Sequence, residues 1–377
     1  MSNKRAINWV PTLFIGIYHV ALLVLLPIYL YFKLPSLGAV VTGAVLLYIT
    51  GLSITAGYHR YYAHRTFKTN QVVEWILLFL GSMAAQGSAL RWAFDHRIHH
   101  AHVDTQEDPY SIEKGFWYAH FLWILDVPRE IEPKVVSDLL KNKLVMFQHN
   151  HYRWTLIGTN ALVVLLTGWL FNDFWGAFFI TCWTRIFFLH HFTWFINSLA
   201  HVWGDKPFSQ EMSAVDNYFL SLLTFGEGYH NYHHTFANDY RNGVRWFHYD
   251  PTKWLIWTLN KFGLAHHLRR TDEATIRKRM VVESKIAVLE KIKTFYTSNA
   301  REVESKVQEL SDCLVAKLSQ IAALKEQYLN YDPATASREA LKALKQELKQ
   351  LNRDLRSDWH RWKELCDGIM SCKLLPA

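Results

Sequence analysis

The segment His230-Asn-Tyr-His233-His234 has the same histidine spacing as His96-Arg-Ile-His99-His100, and the chain around these segments contains long apolar stretches. A third segment, His59-Arg-Tyr-Tyr-Ala-His64, contains two more histidines. Residues i, i+3 and i+4 of a helix share one face, so each triplet is expected to direct its imidazoles at one point. Imidazole is a good ligand for iron, zinc, copper and nickel. The three clusters therefore predict a centre with more than one metal ion.

Four apolar runs surround these clusters, and each is long enough to cross a bilayer. They cover residues 10–32, 37–56, 154–171 and 174–199. Short loops join the first two runs and the last two, which predicts two hairpins. The first run is interpreted as an uncleaved span because a second span follows it at once. We therefore predict an all-α, multi-pass membrane protein with four transmembrane helices.

Lysine and arginine are concentrated before the first run, between the hairpins and after the last run. The positive-inside rule then places both ends of the chain in the cytoplasm, with all three histidine clusters on that side. Residues 57–153 and 200–270 are expected to form a helical cytosolic cap, which completes a membrane domain at 1–270. No nucleic-acid motif occurs. The net charge of +8 is therefore attributed to basic cytoplasmic loops that face the anionic lipid surface.

The segment 271–377 is polar and charged, and it contains two apolar stripes with helical spacing. We predict a helical hairpin or coiled coil broken at Asp332-Pro333. Two alternatives stay open: the stripes pack the tail on itself, or they bind a partner helix and mediate self-association. The stripes are Val303, Val307, Leu310, Leu314, Leu318 and Ile321, followed by Leu341, Leu344, Leu348, Leu351 and Leu355.

The histidine segments contain few carboxylates, unlike soluble di-iron bundles, which use Glu-x-x-His pairs. Neutral imidazoles add no negative charge, so the bound metals stay strongly electrophilic. Iron is the redox-active choice for such ligands when oxygen is activated, whereas structural zinc takes four closed ligands, often cysteine.

Isolated histidines such as His19, His120 and His191 are expected to be core or interface residues. An unactivated alkyl chain is the natural substrate for an oxidising metal pair at a membrane.

Longer motifs extend the clusters between about residues 54 and 249. In these motifs the chain resembles the membrane fatty-acyl desaturase family, and the match is close to its Δ9 branch, the stearoyl-CoA desaturases and their bacterial relatives. No cytochrome b5 motif occurs, so the resemblance is to the bacterial type, located in the inner membrane. The motifs are Gly57-Tyr58-His59-Arg60, Trp92-Ala93-Phe94-Asp95-His96-Arg97-Ile98-His99-His100, Asp108-Pro109, Gly115-Phe116-Trp117, Thr193-Trp194-Phe195-Ile196-Asn197-Ser198-Leu199-Ala200-His201 and Gly226-Glu227-Gly228-Tyr229-His230-Asn231-Tyr232-His233-His234.

The resemblance implies two iron ions and O2-dependent insertion of a cis double bond near carbon 9 of a saturated acyl chain. Two electrons would come from a separate donor of the ferredoxin, rubredoxin or cytochrome b5 type. Asn197 would hold a metal through water. The implied ligands are His59, His64, His96, His99, His100, His201, His230, His233 and His234.

Several neighbouring residues receive supporting roles. Asp95 and Glu227 are expected to orient metal-bound imidazoles, with a surface salt bridge as the alternative. Arg60 and Arg97 are expected to pair with acidic residues at 104–108. An acyl tunnel is expected to be lined by aromatic side chains, with core packing as the equal alternative. These aromatic residues are Trp92, Trp117, Trp194 and Tyr58.

The acyl carrier and the reaction leave alternatives. Animal acyl-CoA enzymes have a basic residue where Phe94 stands and a basic pair near residues 123–129, and this chain lacks both. Their absence leaves two carriers open: acyl-CoA remains the first expectation, and an acyl chain on membrane lipid is the second. A membrane hydroxylase on the same di-iron scaffold is the enzymatic rival. A non-catalytic scaffold that recruits partners through its coiled tail is the alternative from another class.

Overall fold

The computed structural model describes residues 6–295, 300–331 and 338–371, and they form two compact units. The first unit comprises 1–205 and 212–270, and the second comprises 206–211 and 271–377. The α-helices of the first unit are α1 (Trp9–Phe32), α2 (Leu37–Leu52), α3 (Gln71–Met83), α4 (Ala89–His102), α5 (Phe116–His120), α6 (Ser137–Leu140), α7 (Lys143–Asn150), α8 (Tyr152–Phe171), α9 (Phe174–Gly176), α10 (Arg185–Asn197), α11 (Tyr218–Leu223), α12 (His230–Thr235) and α13 (Pro251–Lys261).

Shorter and wider helices complete this unit. π-Helices cover Ser53–Ala63 and Ala177–Thr184, and 3-10 turns cover Ile112–Lys114, Leu122–Leu125 and Leu199–His201. The only sheet among the described residues is a two-stranded antiparallel pair, β1 (Lys68–Thr69) and β2 (Ala265–His266), in which Lys68 lies opposite His266. The pair connects the chain just after the first histidine segment to the end of the unit.

Three described helices are long and apolar enough to cross a membrane: α1, α8, and α2 together with its continuation to Ala63. Most of α1 is exposed in the isolated chain; Leu23, for example, is 74% exposed. Such apolar surface needs a lipid environment. The predicted runs 10–32, 37–56 and 154–171 match these helices. The second helix continues as a π-helix beyond residue 56, which carries His59 from the apolar segment into the histidine groups.

The fourth predicted span, 174–199, is helical but not apolar enough to count among these membrane-capable helices. It contains Arg185, whose side chain is buried. The guanidinium donates to the carbonyl oxygens of Thr181 (2.7 Å) and Met83 (3.1 Å) and to the side chain of Asn160. A charged group in an apolar segment is costly unless neighbouring helices satisfy it. The segment is therefore packed against the protein at Arg185.

Histidines outside the three clusters form a separate hydrogen-bonded chain that ties α1, α10 and α5 together. His19 Nε2 lies 3.2 Å from His191 Nε2, and His191 Nδ1 lies 3.1 Å from His120 Nε2. His120 Nδ1 in turn lies 2.9 Å from Ser198 Oγ. These imidazoles are partners of one another, as expected for core and interface histidines.

The core of the first unit lies around α4, the π-helix Ser53–Ala63 and α7. Helix α4 begins where the Ser88 side chain accepts a hydrogen bond from the amide of Arg91, which satisfies one of the free amides of the first turn. Tyr58 and Phe94 are fully buried in this core. The packing fixes two of the three histidine segments against each other.

The second unit is a bundle of α14 (Glu273–Phe295), α15 (Ala300–Leu329) and α16 (Arg338–Ser371). The sequence predicts a hairpin of two helices, whereas the structure has three, because α14 adds its own apolar stripe to the same core. The predicted break at Asp332-Pro333 lies outside the described residues. The whole first stripe and the last three residues of the second, Leu348, Leu351 and Leu355, pack into this shared core, which favours packing of the tail on itself. Buried members are Val281, Val288, Ile292, Val307, Leu314, Leu318, Ile321, Leu355 and Trp362.

Leu314→Ala should loosen this bundle, because a fully buried leucine truncated to alanine costs about 2–5 kcal/mol. Hydrogen–deuterium exchange of the full chain should show faster exchange across α15 and its neighbours. Leu329→Ala makes the same chemical change at a position that is 81% exposed, and exchange should stay near wild type. Equal effects of the two variants would contradict the assigned core.

Candidate metal centre

All nine predicted histidines converge in the first unit, in two groups. Within each group one ring nitrogen per residue lies within 4.8 Å of the corresponding nitrogens of the others. The first group is His59, His64, His96, His100 and His233. The second group is His99, His201, His230 and His234. His201 stands outside the three clusters in sequence, and the 3-10 turn after α10 brings it to the second group.

The two triplets are divided between the groups, which corrects the expectation that each triplet aims at one point. Helix α4 gives His96 and His100 to the first group and His99 to the second; α12 gives His230 and His234 to the second group and His233 to the first. Adjacent helical residues are about 100° apart around the axis, so positions i+3 and i+4 point to different sides. Each triplet thus bridges two neighbouring positions.

The nitrogen separations fit ligands of a common ion. His64 Nε2 lies 2.8 Å from His96 Nε2, and His233 Nε2 lies 3.0 Å from both His59 Nε2 and His100 Nε2. Neighbouring ligands at right angles, each about 2.1 Å from a metal, are about 3.0 Å apart.

The second group has the same spacing. His234 Nε2 lies 3.0 Å from His230 Nε2 and 3.2 Å from His99 Nε2. Two ions with five and four imidazole neighbours therefore fit the residues that are present.

Burial keeps these imidazoles neutral. The pKa of His96, His100 and His233 lies well below the usual value, first because the rings are buried and then because other imidazoles surround them. Burial also lowers the pKa of His230 and His234 well below the usual value. A neutral ring presents a lone pair, which is the form that binds a metal.

In each group one imidazole contacts a buried carboxylate. His59 Nδ1 lies 3.0 Å from Glu227 Oε2, and His99 Nδ1 lies 2.9 Å from Asp108 Oδ1. A carboxylate at Nδ1 holds the ring so that Nε2 faces the ion and raises its basicity. The role of Asp108 was missed, although Asp108-Pro109 follows the second triplet by only eight residues.

Two hydroxyl groups act in the same way, and neither was found from sequence. Tyr110 Oη lies 3.0 Å from His96 Nδ1, and Ser213 Oγ lies 2.6 Å from His201 Nδ1. Their spacing from the histidines depends on how the loops close, so no local motif identified them.

Arg60 forms the centre of a buried ionic network rather than pairing with residues 104–108 as expected. Its guanidinium lies 2.8 Å from Glu227 Oε1 and 3.0 Å from Asp250 Oδ1, and all three side chains are buried. Gly226 has φ +97°, and a Cβ there would lie 2.6 Å from Asp250 Oδ1. Although burial alone would raise the pKa of Glu227, Arg60 and then His59 lower it to about 2. The network keeps Glu227 ionised beside His59.

Two other expectations are not met. Among the described residues, Asp95 forms no hydrogen bond with a histidine. Its carboxylate instead accepts two hydrogen bonds, at 2.6 and 2.8 Å, from Arg91, which lies one helical turn away. Arg97 donates to both carboxylate oxygens of Asp138 at 2.7 and 2.8 Å rather than to the loop 104–108. In that loop the carboxylate of Asp108 is already engaged by His99.

Of the predicted tunnel residues, Trp92 is placed against the histidines: its ring stacks on His96 with centroids 4.9 Å apart. Tyr58 is buried and accepts a hydrogen bond from Gln148 Nε2 at 2.8 Å. Trp194 is also buried, whereas Trp117 is 62% exposed.

Asn197 is the last residue of α10 and is half-buried, four residues before His201. The described hydrogen bonds include none from its side chain.

The comparisons with known proteins agree with this arrangement. Residues 35–270 match the family profile described as Fatty acid desaturase. The matched segment contains both histidine groups and their orienting carboxylates.

The chain belongs to the fatty acid desaturase family. It is 41% identical over 293 residues to a probable acyl-CoA desaturase of Schizosaccharomyces pombe. This alignment covers 76% of this chain and 60% of that relative. It is 37% identical to acyl-CoA desaturase 1 of Saccharomyces cerevisiae over 62% of this chain and 46% of the relative. This desaturase-family chain thus spans less than two thirds of these two relatives. A third relative, an sn-1 stearoyl-lipid 9-desaturase of Anabaena variabilis, is 35% identical over 72% of this chain and 97% of its own length.

Proposed function

We propose that the chain is an O2-dependent fatty-acyl desaturase that introduces a cis double bond, at Δ9, into a saturated acyl chain. The observation that carries the proposal is the pair of buried histidine groups, five and four imidazoles, in a membrane protein of the desaturase family. Neutral imidazoles in these numbers suit a redox-active metal rather than a closed structural zinc site.

The nine histidines are proposed to hold two iron ions, with Asn197 contributing through a water molecule. The bound irons supply the activation of O2 that abstraction of hydrogen from unactivated carbon requires. Glu227 and Asp108 fix the orientation of His59 and His99, and Arg60 keeps Glu227 charged. The protein must also place the acyl chain, and the ring of Trp92 against His96 is proposed to form one wall of its path.

The overall reaction removes one hydrogen from each of two neighbouring acyl carbons. It consumes O2, two electrons and two protons and forms two molecules of water. The electrons are proposed to come from a separate donor of the ferredoxin, rubredoxin or cytochrome b5 type. The segment 174–199 is proposed as a fourth span, with both histidine groups and both ends of the chain on the cytoplasmic side, in a bacterial inner membrane.

Expression in a desaturase-deficient host tests the proposal. Fatty-acid profiling by mass spectrometry should show new cis-Δ9 unsaturated chains, and His99→Ala should show none. An oxygen-bearing acyl product would instead establish the hydroxylase alternative. Absence of any acyl product with both irons bound would favour the scaffold alternative.

Acyl-CoA is proposed as the carrier, since two yeast relatives are named acyl-CoA desaturases, while the Anabaena relative is named a lipid desaturase. Purified protein should be given stearoyl-CoA or stearoyl phospholipid in parallel with the same electron donor. Faster desaturation of stearoyl-CoA supports the proposal. Product from the phospholipid alone would assign the acyl-lipid carrier.

Asp108→Asn should weaken iron binding at the second group by about 10–100-fold, because it removes the carboxylate that orients His99. Iron titration should leave one ion tightly bound and one weakly bound. Glu113→Gln neutralises an exposed carboxylate a few residues away and should leave both sites unchanged. Equal loss of both irons in Asp108→Asn would show that Asp108 acts on general folding instead.

A further inference from the structure

A cavity of about 650 Å³ lies in the first unit beside the strand pair β1 and β2. None of the nine histidines lines it, so it is separate from the metal centre. Its volume is within the range of roughly 300–1,000 Å³ typical of small-molecule sites. The desaturase proposal assigns it no role.

The cavity carries an excess of positive charge. Arg65, Lys68 and Arg269 line it beside His267, with Asp138 as the only carboxylate among its lining residues. That carboxylate is already engaged, because both of its oxygens accept hydrogen bonds from Arg97 outside the cavity. Arg65 Nη1 stands 3.8 Å from Asp138, and the Arg65 side chain is 62% exposed. Arg65 is thus weakly paired, whereas no carboxylate among the described residues engages Lys68 or Arg269, so these two side chains can pair with an anion.

The backbone holds two of these residues in an unusual conformation. Arg65 has φ +53° and His267 has φ +52°, in the left-handed region that residues other than glycine rarely adopt. Such strain persists only where surrounding structure imposes it, and it concentrates at functional sites. Here the β-pairing of Lys68 with His266 and the hydrogen bond from Arg269 N to Thr66 O (2.8 Å) impose it. The two strained residues lie on opposite segments and line the same cavity.

We propose that this cavity binds a phosphate-bearing small molecule. Guanidinium groups match phosphate oxygens with paired hydrogen bonds, and Lys68 adds a point charge. The proposal goes beyond the desaturase activity and does not depend on it.

Calorimetric titration of the full-length, detergent-solubilised protein with pyrophosphate tests the proposal. The double variant Lys68→Gln/Arg269→Gln should weaken binding by about ten-fold or more. Arg65→Gly should also weaken it, and because glycine accepts φ +53° this variant removes the cation without disturbing the backbone. Arg270→Gln and Lys261→Gln remove exposed charges that do not line the cavity and should change affinity by less than about two-fold.

A parallel arm separates the sources of the phosphate. Binding only to vesicles that contain phosphatidate, and its loss in the cavity variants, would support the proposal with a lipid headgroup as ligand. Pyrophosphate binding that the cavity variants weaken supports a soluble ligand. The proposal is overturned if neither probe binds, or if the control variants weaken binding as much as the cavity variants do.

Discussion

His233→Ala should reduce desaturation by at least about 100-fold and lower bound iron from two ions per chain to about one. The Nε2 atom of His233 lies 3.0 Å from those of both His59 and His100, so it occupies the middle of the first group. Loss of this ring removes one ligand and leaves a cavity in which water competes for the ion. Loss of an orienting partner alone costs about 10–100-fold, so loss of the ligand itself should cost more.

His360→Ala is the matched control, because His360 is 74% exposed and lies in the second unit. It should keep two irons and full activity. Retention of both iron and activity in His233→Ala would refute the assignment of the first group. Loss of activity with both irons retained would instead give His233 a role in catalysis without a role in metal binding.

Arg60→Ala should destabilise the protein by about 3–5 kcal/mol, the largest stability effect expected from one side chain of this site. Removal of the guanidinium leaves Glu227 and Asp250 buried with their charges uncompensated. Its Nη1 also donates to Tyr240 O at 2.7 Å, and that carbonyl would lose its partner. The thermal unfolding midpoint of the first unit should fall by several degrees in detergent.

Arg270→Ala removes an arginine from an exposed position and should leave the midpoint within about a degree of wild type. Glu227→Gln together with Asp250→Asn in the Arg60→Ala background removes both unpaired charges and should recover part of the loss. No recovery in this triple variant would mean that packing, rather than charge, explains the effect of Arg60.

The nine histidines that converge could be selected from their spacing and motifs, but their division into two groups could not be taken from the motifs alone. It follows from the helix: His99 and His100 are neighbours in sequence and point about 100° apart. Glu227 was found because it stands within the third motif. Asp108 was assigned to an ion pair, since nothing local shows that its loop returns to His99.

The fold shows the same limit. The helices Trp9–Phe32, Leu37–Ala63 and Tyr152–Phe171 each contain a long, mostly apolar stretch, which composition alone reveals. The segment 174–199 combines apolar residues with Arg185, and only the tertiary partners of that guanidinium show how the charge is accommodated. In the tail, the stripe of α14 with Val281 and Val288 is shorter and was passed over, which produced the prediction of two helices instead of three.

Metal analysis of the purified full-length chain combined with X-ray absorption at the iron edge tests the central claim most directly. Two iron ions per chain should be found, with a first coordination shell dominated by imidazole nitrogens near 2.1–2.2 Å, about the metal–imidazole distance known in proteins. A single zinc ion, or iron surrounded mainly by carboxylate oxygens, would contradict it.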